Sequence, residues 1–136
     1  FSIADDSGLV VPALNFEPGI YSARYAKDGA SDLENRNKII AELENLNLES
    51  ASAYYVCVLV GVHSPEDPMP IFSLGKIHGR VSVHSSGDGG FGYDKIFYPD
   101  ELDISMASLE VGVKNKISHR AIAAQLFLKE LDKDRS

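Results

Sequence analysis

The chain has 136 residues, 44% of them apolar, and twenty acidic against thirteen basic side chains leave a net charge of −7. That composition excludes a disordered or low-complexity polymer, and the acidic balance excludes the basic stripe with which proteins grip a nucleic-acid backbone. The longest apolar run, Tyr54 to Val62, falls far short of the roughly 20 residues of a membrane-spanning helix.

The length suits one core, so residues 1–136 are read as a single domain. Phe1-Ser2-Ile3-Ala4 reads as a strand already in progress, and the chain is expected to lack its natural start. Asp5-Asp6-Ser7-Gly8 then reads as a polar corner, followed by a short strand, Leu9-Val10-Val11, stopped by Pro12. Ser31 with Glu34 makes a capping box for a helix that places Leu33, Ile40 and Leu43 on one face. Ala53 to Val62, rich in Tyr and Val, predicts a central strand. After a loop at His63 to Pro68, Ile77, Val81 and Val83 alternate with polar residues and predict a half-exposed partner strand in a hairpin. A glycine-rich loop, Ser85 to Gly92, leads into a short strand, Ile96-Phe97-Tyr98, closed by Pro99. Ser118 can cap a last helix with Ala124, Phe127, Leu128 and Leu131 on its apolar face. These elements predict an α/β or α+β sheet with helices packed on it.

Three groups of residues could carry chemistry. Asp5 and Asp6 directly follow a strand end, where adjacent side chains point in different directions and can serve a metal and a water separately. Two carboxylates suit Mg²⁺, which keeps several waters and takes one or two carboxylates plus substrate phosphates, although a solvated Asx turn would look the same. Gly87 to Asp94 holds four glycines, Phe91 and Tyr93, a loop that can stack a base while Asp94 reads its polar edge, or whose aromatics can simply cap a core. Lys114, Lys116, Ser118, His119 and Arg120 gather cations at the expected N-terminus of the last helix, where the macrodipole disfavours them unless an anion or carbonyl is bound. Alternatively, Ser118 only caps and its neighbours pair with surface acids. Cys57, the only cysteine, lies in an apolar strand and reads as an inert core residue. It excludes an intrachain disulfide, which fits a cytoplasmic setting. His63, His78 and His84 have no zinc-ligand spacing with it.

Three separated segments match in letters, order and spacing: Ala4 to Leu9 with Pro18 to Ala26, then Gly89 to Asp94, then Lys114 with Ser118-His119-Arg120. Together they resemble the inosine/xanthosine triphosphate pyrophosphatase family across essentially the whole chain. The resemblance implies a mixed, twisted sheet with flanking helices, an elongated α/β fold with a central substrate groove, and a homodimer. It implies Mg²⁺-dependent hydrolysis of the small-molecule nucleotides ITP, dITP and XTP to the monophosphate and pyrophosphate, without nucleic acid or membrane as partner. Carried over by position, Asp6 becomes the water-activating base, Asp5 and Asp6 the metal ligands, and Ser7 a substrate contact. Phe91, Gly92, Tyr93 and Asp94 become the base-binding loop, Lys114 a substrate lysine, and His119 with Arg120 the pair that reads a 6-oxo purine. Lys95 departs from the family's usual proline, and the front third, with its phosphate-binding loop, a metal-binding Glu and another Lys, is expected to be missing. The alternatives are a purine-nucleotide-binding module without turnover and a related pyrophosphatase with a different base preference. The chain by itself is expected to have little activity.

Overall fold

The computed structural model describes residues 1–100 and 102–134. Five strands, β1 (Ser2–Val11), β2 (Glu17–Pro18), β3 (Ser50–Val62), β4 (Ile71–Ser82) and β5 (Phe97–Pro99), form one sheet in the order β2-β1-β3-β4-β5. Every pairing is antiparallel. The α/β character and the flanking helices stand as expected, but the sheet is not mixed among the described residues. β3 and β4 are joined directly by a short loop, so their pairing is the antiparallel one of a hairpin.

The β3–β4 hairpin is the predicted one, in register from Ser50 opposite Ser82 to Gly61 opposite Ile71, although β4 reaches back to Ile71 rather than starting near Ile77. The corner expected at Asp5–Gly8 is instead continuous strand: β1 pairs with β3 without a break from Ser2 opposite Val62 to Val10 opposite Tyr54. A long partner outweighs the local turn preference of Asp, Ser and Gly here. Asp5 and Asp6 are exposed, so strand pairing costs them no desolvation.

Strand alternation puts Asp5, Ser7 and Leu9 on the same face as their β3 partners Leu59, Cys57 and Tyr55, and Asp6 on the other. The first face carries the core: Leu9, Val11, Ala53, Tyr55 and Val81 bury together with Ile39 and Leu43 of α1 (Asp32–Asn45) and with Tyr93, Ile96, Phe97 and Met106. α1 begins with the predicted capping box, Glu34 N–H donating to Ser31 Oγ at 3.1 Å and Ser31 N–H to Glu34 Oε1 at 3.0 Å. Its buried face is Asn35, Ile39 and Leu43; Leu33 is exposed.

Two helices close the chain, α2 (Val111–Ile117) and α3 (His119–Asp134). Ser118 links them and accepts the Ala121 N–H at 3.1 Å, the cap the sequence predicts. Lys114 and Lys116 belong to the last turn of α2, where the macrodipole favours cations, and not to the start of the final helix. α3 buries Ala123 and Phe127, while Ala124 and Leu128, expected on its apolar face, are exposed. Gly75 of β4 sets that rotation: a Cβ there would overlap the His119 carbonyl oxygen and the Ala123 nitrogen, so the helix backbone lies directly on the strand. Ser73 Oγ donates to the Ala123 carbonyl at 2.7 Å and fastens the same turn. No described helix is long and apolar enough to cross a membrane.

Candidate functional site

A cavity of about 190 Å³ opens where β1, the Gly89–Asp94 loop and the start of α3 meet. Ser7, Tyr55, Phe91, Asp94, His119 and Arg120 are among the residues that line it. A second cavity of about 680 Å³ lies against Phe91, Asp94, His119 and Arg120 and adds Lys114 and Ser118 to its walls. Residues far apart in sequence thus converge, and most of those predicted from the sequence are among them.

The first wall is built from β1 outwards. Gly8 has no side chain because a Cβ would collide with the Gly19 carbonyl. This close approach lets Ser22 Oγ accept the Leu9 N–H at 2.9 Å and donate to Gly19 O at 2.7 Å. Tyr93 is buried, and its hydroxyl donates to the Ser22 carbonyl at 2.6 Å. Tyr93 therefore braces the loop from inside, as the core-capping alternative describes. Phe91 presents an exposed ring, with Lys114 Nζ 4.5 Å and the Arg120 guanidinium 5.5 Å from its centre. Both distances are in cation–π range, so two positive charges stand beside the ring.

Asp94 is the hub of the loop. Its carboxylate is buried; Oδ1 accepts the Tyr55 hydroxyl at 3.1 Å, and Oδ2 accepts the Phe91 N–H at 3.1 Å and the Lys114 ammonium at 2.5 Å. These partners satisfy the charge in a place where water cannot. Gly92 is held from α1, its N–H donating to Asp32 Oδ2 at 2.8 Å and its carbonyl accepting Arg36 Nη1 at 3.1 Å.

His119 is buried and lies flat on Tyr55, ring centres 4.7 Å apart and planes 9° from parallel. Burial pushes its pKa down to about 4, with Arg120 and Lys114 adding to the effect and Asp94 opposing it. The imidazole is therefore neutral at pH 7. Its Nδ1 is buried without a hydrogen-bond partner among the described residues. Arg120 reaches across to β1, its Nε 3.4 Å from Ser7 Oγ. Among the described residues neither His119 nor Arg120 makes an ion pair with a surface acid, the alternative to a binding role.

Asp5 and Asp6 do not line either cavity; Asp5 shares the Ser7 face of β1 and Asp6 points to the opposite one. Among the described residues no group of three His, Cys, Asp or Glu stands together in a way that could hold a metal ion. Sequence reasoning missed Tyr55, Asp32 and Arg36. Tyr55 reads as an ordinary strand aromatic, and its partner Asp94 lies 39 positions away. Asp32 and Arg36 sit one turn apart on α1, a spacing that puts both on one face, but nothing local says that the face meets Gly92.

A model of the Ham1 family matches residues 1–130. A dITP/XTP pyrophosphatase of Legionella pneumophila (strain Paris) is 48% identical over 122 residues, which are 90% of this chain and 63% of that protein. One from Haemophilus influenzae is 45% identical over 130 residues, 96% of this chain and 67% of the relative. Among solved structures, a Ham1 protein from Coxiella burnetii superposes with a TM-score of 0.89 at 38% identity, covering 96% of this chain and 66% of that one. The Staphylococcus aureus Ham1 protein gives 0.87 at 42% identity, covering 97% and 67%. The chain spans about two thirds of the length of the relatives it matches. A family match over nearly every residue, on the same backbone as its solved members, means that the chain belongs to the Ham1 family.

Proposed function

We propose that this chain carries the base-binding and water-activating part of a nucleoside triphosphate pyrophosphatase that converts ITP, dITP and XTP to monophosphate and pyrophosphate. The observation that carries the reading is the convergence of Ser7, Phe91, Asp94, His119 and Arg120 on one cavity from three separate stretches of chain. The names of the relatives point to the same substrates.

The chemistry of the walls supports a 6-oxo purine. Arg120 is a permanent donor, and a neutral His119 offers one donor nitrogen to an oxygen at C6. The amino group of adenine would bring donor against donor at Arg120, a mismatch that a carbonyl oxygen at C6 does not create. Phe91 offers an exposed ring for the base to stack on.

Mg²⁺ belongs to the same reading. Asp5 and Asp6 supply hard, exposed oxygen donors at consecutive positions of β1, and the resemblance assigns both to the ion. With no larger donor cluster among the described residues, the ion would draw its remaining ligands from water and substrate phosphates. Bound there, it would supply charge neutralisation for the phosphates. Asp6 is assigned the proton of the attacking water. The homodimer follows from the resemblance, and the cytoplasmic setting fits a chain whose single cysteine, Cys57, is buried.

Calorimetric titration with IMP against AMP tests the pocket, because a monophosphate asks little of the triphosphate site. IMP is expected to bind more tightly, and equal affinities would refute the reading. Where pyrophosphate release from ITP with Mg²⁺ is measured, Asp6→Asn is expected to cut the rate about 10² to 10⁴-fold while leaving IMP binding intact. Retained turnover would move the base elsewhere, to Asp5 first.

A further inference from the structure

We propose that Tyr55 is a positioning residue for the base-reading side of this site: its ring fixes the plane of His119 and its hydroxyl fixes the carboxylate of Asp94. Discrimination between a 6-oxo and a 6-amino purine then depends on a side chain anchored in the middle of β3. The inference rests on the functional reading above and adds a residue that none of the recognised motifs contains.

The argument starts from how a histidine is usually oriented. A functional imidazole has one nitrogen tied to a carboxylate, carbonyl or water, and that bond sets both its tautomer and its ring plane. His119 lacks that support, since Nδ1 is buried and unpartnered among the described residues. What defines the ring plane is the parallel stack on Tyr55, 4.7 Å away. Tyr55 is itself packed against Phe97, whose ring centre lies 4.6 Å away at 56°. It is buried, and the strands on both sides hold its backbone, Leu9 on β1 and Ile77 on β4.

The hydroxyl carries a second task. It donates to Asp94 Oδ1, while Oδ2 of the same carboxylate takes the Phe91 N–H and Lys114. Burial first, and then the neighbouring Asp94, holds the phenol pKa well above its ordinary value, so the group stays a donor throughout the physiological range. One tyrosine therefore sets the position of the imidazole through its face and that of the Phe91 loop through its edge. Neither task needs contact with a ligand.

The two tasks separate in two substitutions. Tyr55→Phe keeps the stack and removes the hydrogen bond; Tyr55→Leu removes both. Calorimetry with IMP and AMP, together with ¹⁵N spectra of the His119 imidazole in the unliganded protein, reads them apart. Tyr55→Phe is expected to lower the IMP-over-AMP preference about threefold to tenfold, within the range of indirect couplings behind a site, with the His119 signals unmoved. Tyr55→Leu is expected to broaden or shift the His119 signals and to cost more of the preference, about tenfold to thirtyfold. If Tyr55→Leu does not fold, Tyr55→Phe decides alone. A wild-type protein that prefers IMP, with Tyr55→Phe keeping that preference within about twofold, overturns the inference and leaves the functional reading standing. A wild-type protein without preference overturns the functional reading, and this inference with it.

Discussion

Removing the Asp94 carboxylate is the sharpest test of how the loop is held. In Asp94→Ala, three donors lose their acceptor at once: the buried Tyr55 hydroxyl, the Phe91 N–H and Lys114, whose side chain is only 18% exposed. Breaking a buried ion pair from one side typically costs about 3 to 5 kcal/mol, because the remaining charge stays behind in low dielectric. Asp94→Asn should cost less. If its amide nitrogen took the Oδ2 position it would face the Phe91 N–H and the Lys114 ammonium, donor against donor. In the other orientation it faces the Tyr55 hydroxyl, which can turn and accept. The amide then keeps the shape and loses the charge, at an expected cost of about 1 to 2 kcal/mol. Urea denaturation followed by far-UV circular dichroism measures both, and Asp94→Ala combined with Lys114→Met should recover part of the loss by removing the stranded charge. An Asp94→Ala protein within about 1 kcal/mol of wild type, or one no worse than Asp94→Asn, would refute the claim that this pair organises the loop.

The neutral state of His119 has a pH signature. Its folded pKa of about 4 lies below the ordinary 6.5, so the unfolded chain takes up a proton that the folded protein refuses, and stability falls as pH drops from about 6.5 to about 4. The full loss is about 3 kcal/mol at 1.36 kcal/mol per pH unit, and His119→Phe should remove that portion of the slope; identical pH profiles for the two proteins would count against a buried neutral imidazole. Phe91→Ala should weaken IMP binding by about 1 to 3 kcal/mol, the worth of a base stack. Because the ring is exposed, the melting temperature should hardly move, and unchanged binding would mean that the base stacks elsewhere.

What the sequence revealed and what it hid divide along a physical line. The capping box at Ser31 and Glu34 and the β3–β4 hairpin depend on neighbours a few residues apart, and both were legible. The Asp5–Gly8 strand was not, because its local chemistry favours a turn and only the pairing with a distant β3 overrules it. On α1 one of the buried positions belongs to Asn35, a polar residue that hydropathy puts outside. Its side chain is satisfied by donating to the Ala23 carbonyl at 3.0 Å and accepting the Ala26 N–H at 2.9 Å. Phe91, Asp94, His119 and Arg120, which line one cavity, stand in motifs that the sequence displays, whereas Tyr55 meets its partners Asp94 and His119 only in the folded chain.

The bare Gly75 under the first turn of α3 has a mechanical meaning for recognition. A gap spanned by side chains breathes as their rotamers exchange, but here main chain rests on main chain, with the His119 carbonyl and the Ala123 nitrogen seated on the strand. The height of the imidazole above the sheet is therefore a property of two backbones, each stiffened by its own ladder of hydrogen bonds. A ruler made this way does not drift when neighbouring side chains move, so the wall that His119 gives the cavity keeps its place.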